Sequence, residues 1–165
     1  MGTVTTEYAS SSALTISPQG VATSATLVAC VESTAVDNSS NKYDDYILAG
    51  KWTSGTTPTA GQVVLYVIAL AEDSTYPDVM DGTASAETWL SQEVRNGAAE
   101  VARAISVDTT SDRTYWFGAV SVKKLFGGVM PKKWVAFVTH NTVAAANSTA
   151  GNHALWITPV YYSVA

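Results

Sequence analysis

Short apolar runs alternate along the chain with breaks rich in Ser, Thr, Gly, Asn and Pro. The runs are too short and too rich in β-branched residues to read as helices. Residues 25–32 set Leu27, Ala29 and Val31 against Val28 and Cys30, which predicts a strand. Residues 43–53 put Tyr46, Leu48, Gly50 and Trp52 on one face and Asp45, Ile47, Ala49 and Lys51 on the other. Residues 62–71 (QVVLYVIALA) are apolar on both faces, so this strand is either central and covered twice or meets a partner with its outer face. Residues 101–107 alternate with Val101, Arg103, Ile105 and Val107 on one side, and residues 115–122 form the next strand. Residues 125–141 (LFGGVMPKKWVAFVTHN) are a glycine-proline turn feeding a strand that begins at Trp134. Residues 153–164 close the chain, with Pro159 pointing to an edge position because proline gives no ladder donor. Residues 89–97 predict a short strand or one helical turn.

Seven or eight strands with close turns, and no helix beyond two turns, predict an all-β protein. The pattern fits an antiparallel sandwich, jelly roll or barrel, and the architecture expected is an antiparallel β-sandwich of the jelly-roll kind. Residues 1–20 are Ser- and Thr-rich with little apolar periodicity and close on Pro18 and Gly20. They are expected to be an extended N-terminal arm, disordered alone or laid along a neighbour, ahead of a sandwich domain at 21–165.

Composition sharpens this picture. At 165 residues the chain buries a core without staples. Only 14% of residues are charged, against about 25% in an average globular chain. A surface this poor in charge suits packing against copies or partners. The net charge of −5 argues against nucleic acid, which requires a basic stripe. The apolar runs are too short to span a membrane. The lone Cys30 excludes an internal disulfide and a cysteine zinc site, and its apolar surroundings predict a buried thiol. The first twenty residues lack the basic start and apolar stretch of a signal peptide, so the expected place of synthesis and folding is a cytoplasm. The myristoylation-like start and the sequons at Asn38 and Asn147 are read as chance matches and turns.

Candidate chemistry is sparse. His140 and His153 sit at strand ends, outside any recognised catalytic motif, and are expected to be turn or interface residues. Asp44 and Asp45 are adjacent on a strand, so they face opposite ways and cannot flank one glycosidic bond. Asp73, Asp78 and Asp81 surround Gly82 without calcium-loop spacing. No cofactor, metal or catalytic set is expected, and the chain reads as a non-enzyme. The five tryptophans divide between core, protein interface and a sugar-stacking platform, with core favoured.

Residues Tyr43-Asp-Asp-Tyr, Gly50-Lys-Trp-Thr-Ser-Gly-Thr-Thr-Pro-Thr-Ala, Phe126-Gly-Gly-Val-Met-Pro-Lys-Lys-Trp and His153-Ala-Leu-Trp with Pro159-Val-Tyr-Tyr give the chain a likeness from Tyr43 to Tyr162. It resembles small virion proteins of tailed bacteriophages, in particular jelly-roll head-decoration (cement) proteins. The resemblance implies a virion protein, assembled in the host cytoplasm, that self-associates and binds the major capsid protein. The alternative is a carbohydrate- or receptor-binding sandwich of a tail. The interface expected under either reading comprises Phe126 and Met130 as apolar anchors, Lys132 and Lys133 as steering charges, and Trp134 and Trp52.

Overall fold

The computed structural model describes residues 2–70 and 75–164. Asp73 of the acidic stretch and Ala71 of the predicted strand at 62–71 therefore lie outside the described residues. The elements are β1 (Val4–Tyr8), β2 (Ser12–Leu14), β3 (Ala29–Glu32), β4 (Val36–Asp37), β5 (Asp45–Thr53), β6 (Gly61–Ala69), β7 (Ala86–Thr88), α1 (Gln92–Ala98), β8 (Glu100–Val107), β9 (Thr114–Ser121), α2 (Val122–Leu125), β10 (Lys133–His140) and β11 (Ala154–Val164).

Two antiparallel sheets pack face to face, so the protein is an all-β sandwich. One sheet runs β1-β11-β5-β9 with β2 also on β11; the other runs β7-β3-β10-β6-β8 with β4 on β10. The main core lies between them. Leu48 and Trp52 of β5, Phe117 of β9 and Leu155 of β11 meet Leu65 of β6 and Trp134 of β10. Burial of one such side chain stabilises by about 1.5–3 kcal/mol, so this alternating face carries most of the fold. Gly50 belongs to the same face. A Cβ there would lie 2.4 Å from a Leu155 methyl and 2.6 Å from the Ala154 carbonyl oxygen, so close approach of β11 requires glycine.

The second sheet is covered on its other face as well. Val64, Tyr66 and Ile68 of β6 and Phe137 of β10 pack beneath Leu27, Met80 and Trp89. Strand β6 is thus central and covered twice, which explains its continuous apolar run. Two buried charged residues hold the cover down. Glu32 at the end of β3 accepts the Gly82 N–H at 2.7 Å and the Asp81 N–H at 3.2 Å. Arg95 of α1 donates to the Thr26 and Leu27 carbonyls and lies 5.0 Å above the Tyr66 ring. Helix α1 is capped by Ser91, whose hydroxyl accepts the Val94 N–H.

Three expectations are corrected. Residues 4–8 and 12–14 of the expected arm are strands, with β1 running from Val4 opposite Val164 to Tyr8 opposite Val160. Leu14 of β2 is 7% exposed and belongs to the main core, because Ser12-Ala13-Leu14 finds an open edge on β11 beside Leu155 to Ile157. Pro159 is flanked on both sides and is not at an edge. Its carbonyl accepts the Ala9 N–H, so its backbone faces the interruption between β1 and β2, where no ladder donor is needed. Val101 is 51% exposed, because the register of β8 on β6 jumps from Arg103 to Val101 and the bulge turns the intervening Ala102 inward.

These placements separate the two halves of the first twenty residues. Removing residues 1–10 should leave the thermal midpoint within a few degrees of the parent, since every residue of β1 is exposed. Leu14→Ala should cost about 2–4 kcal/mol in chemical denaturation. Equal effects of the two changes would contradict this division.

Candidate functional site

The predicted docking tip is fastened at both ends. On the α2 side, Asp45 accepts the Lys123 N–H at 2.8 Å and the Ser121 hydroxyl at 2.5 Å, while Asp44 pairs with Lys123 Nζ at 2.7 Å. On the β10 side, Lys133 pairs with Asp37 at 3.0 Å. Hydrogen bonds from Ser39, supported by Lys133, hold the Asp37 carboxyl down at about 2. Asp44 and Asp45 thus serve as anchors for a turn, converging on the side chain and the backbone N–H of Lys123, because Asp44 precedes β5 and is free of strand alternation. Between the anchors Gly127 and Gly128 take φ of +67° and +90°, which only glycine adopts at little cost.

The six predicted interface residues do not form one surface. Trp52 and Trp134 are both 0% exposed, which removes them from any docking surface. Trp134 stands edge-on to Tyr46 at 5.7 Å in the main core, and Trp52 packs against His140 at 5.1 Å. The alternation that aligned Trp52 with Tyr46 and Leu48 already pointed inward. Phe126 and Met130 are half-buried and pack on the core as supports of the turn. Lys132 is exposed, and with Met130, Tyr43, Asn38 and Lys42 it lines an open groove of about 380 Å³. The large apolar side chain that the tip presents to solvent is Val129, 72% exposed. Its place between a diglycine and Met130 was the available signal.

His140 and His153 are buried around Trp52 rather than displayed at turns. His153 Nε2 donates to the Asn147 carbonyl at 2.8 Å, and its Nδ1 accepts the Thr53 N–H at 3.3 Å, which fixes a neutral ring. His140 Nε2 lies 3.0 Å from the Val21 carbonyl and Nδ1 3.0 Å from the Thr142 hydroxyl. Burial depresses both imidazoles below their ordinary value. Burial also lifts the Glu32 carboxyl to about 7 and the Cys30 thiol to about 12. Both groups lie under the cover of the second sheet. Among the described residues no group of three or more His, Cys, Asp and Glu side chains could hold a metal. Asp78 and Asp81 instead accept the Leu90 and Thr83 N–H groups. No described helix is long and apolar enough to cross a membrane.

Several large apolar side chains are exposed on the outer face of the β1-β11-β5-β9 sheet. Val4 and Tyr8 of β1, Tyr162 and Val164 of β11 and Trp116 of β9 lie there, each at least 57% exposed. Trp156 joins them, its ring 6.2 Å from that of Trp116 with 15° between the planes. Lys51 and Asp45 are the charged side chains that β5 turns to this face, Lys51 opposite Trp116 and Asp45 opposite Val160. Sequence reading assigned tryptophans to surfaces without the pairing of β9 on β5 on β11, which alone brings Trp116 to Trp156. No protein-family model and no curated protein matches the chain.

The buried titratable groups oppose each other with pH. The histidines, neutral when folded, contribute stability that is present above about 6.5 and lost as pH falls below it. Glu32, raised from 4.5 to about 7, does the reverse, contributing stability below 4.5 that is lost as pH rises through 7 and is on the order of 3 kcal/mol in all. Because the two trends run in opposite directions, denaturation midpoints of the parent should change less between pH 5 and pH 7 than either kind of group alone would impose. Glu32→Gln, which keeps an acceptor for the loop, should expose the histidine trend as a steady loss on acidification. A variant profile parallel to the parent's would refute the assignment.

Proposed function

We propose that the chain is a non-enzymatic structural protein of tailed-bacteriophage virions, a head-decoration (cement) protein that self-associates and binds the major capsid protein. The observation that carries this reading is the outer sheet face, where Val4, Tyr8, Tyr162, Val164 and Trp116 are exposed and the charged residues that its strands turn to that side are Lys51 and Asp45. Apolar surface of this extent is costly to leave in water and suits a protein that works in an assembly. The order β2-β11-β5-β9 facing β3-β10-β6-β8 supports reading the sandwich as a jelly roll. The fastened tip with Val129 at its apex, exposed Lys132 beside it and an acidic partner opposite would add a second contact. Many symmetric copies then hold by avidity, so single contacts need not be strong.

Mass spectrometry of purified particles is the test. The chain should be present in roughly tens to hundreds of copies per particle, and its absence would end the reading. Val129→Ser should weaken particle attachment at any salt, whereas Lys132→Glu should weaken it mainly at low salt. Unchanged attachment of both folded variants would show the tip to be a turn only.

A second reading, a glycan-binding sandwich of a tail, is favoured by one observation, the parallel Trp116–Trp156 pair on an open sheet. A glycan-array signal abolished by Trp116→Ala, with no chain in the head, would select it.

A further inference from the structure

Strand β11 outruns its neighbour β5. Their pairing ends where Val160 meets Asp45, and beyond it Tyr161 to Val164 pair with β1 alone. All five residues of β1 are exposed, as are Tyr161, Tyr162 and Val164. A two-stranded ribbon with both faces in water is marginal by itself. Its free edge carries no proline, lysine or bulge, and its one charge is Glu7. The opposite edge of the same sheet is guarded: β9 bulges against β5, and Arg103 of β8 donates to the Gly118 and Ala119 carbonyls at the bulge.

We propose that β1 pairs antiparallel with β1 of a second copy across a two-fold axis at Thr6, joining two five-stranded sheets into one. The Ala9 N–H donates to the Pro159 carbonyl while Tyr8 stands opposite Val160. That parity makes Glu7 and Thr5 the residues whose backbone groups face β11, and turns those of Val4, Thr6 and Tyr8 outward. Centring the pair on Thr6 uses every one of these outward groups in about six hydrogen bonds. The same register sets Val4 opposite Tyr8 and Thr6 opposite Thr6, both favourable cross-strand pairs. Glu7 meets Thr5 and never another Glu7, and it is already held on that face by Thr5 and Ser163 of its own chain. The strand is thus complementary to itself in side chains, charge and backbone at one register, which selects a second copy over other occupants. The inference rests on the self-association part of the proposed function and is independent of attachment to a particle.

Sedimentation velocity of the full chain tests it. The parent should dimerise, and Thr6→Pro, which removes an outward donor without touching the β11 ladder, should raise the dissociation constant by about tenfold or more. Thr6→Lys and Thr6→Glu should each be monomeric at low salt, and an equal mixture of the two should recover a dimer, because the charges meet across the axis. A parent that stays monomeric up to about 0.1 mM, Thr6 variants that dimerise like the parent, or a mixture that fails to recover would each overturn the pairing. Particle attachment is scored separately. A dimer that binds no particle refutes the virion reading and leaves the pairing intact, and a particle-bound monomer does the reverse.

Discussion

Double burial of β6 and β10 is the constraint on which the structure depends. Both strands are apolar on every side, and a sandwich of two sheets satisfies only one face of each. Residues 75–99 therefore fold back as a third layer, with Met80, Trp89 and the end of α1 packed on the sheet. Burying polar backbone with that layer creates the need for acceptors and donors inside, which Glu32 and Arg95 supply. Both side chains are tolerable there because each is hydrogen-bonded to backbone groups of the layer.

Strand existence was legible in the chain because alternation and turn chemistry agree over β5, β6, β8, β9, β10 and β11. Face assignment was legible for β5, whose inward set includes Trp52, and failed for Val101, where one inserted residue inverts the pattern beyond it. Strands β1 and β2 were missed because Thr-rich edges bury almost nothing, so hydrophobic periodicity has little to register. Leu14 is the exception that ties this stretch to the core.

The site was less legible than the fold, for a physical reason. Phe126, Met130, Trp134 and Trp52 are large and apolar, and a sequence does not say whether such a residue supports a surface or forms one. The answer depends on pairing between distant strands. Trp116 and Trp156 come together only because β5 lies between their strands, and the outer face emerges only once β1 joins β11. Asp44 and Asp45 acquired their role in the same way, from Lys123 and Ser121 folded across to them.

Arg103 has a consequence for growth. Because its guanidinium ties the bulged edge of β9 to β8, this flank of the sandwich presents no continuous rail of backbone groups to a neighbour. The three-residue β7 at the far edge of the other sheet is too short to serve as one. A particle with a single extendable flank terminates after one joining event, whereas one with two would propagate into fibres. Arg103 in mid-strand thus takes up the Gly118 and Ala119 carbonyls, two acceptors that an added strand would otherwise find on this flank.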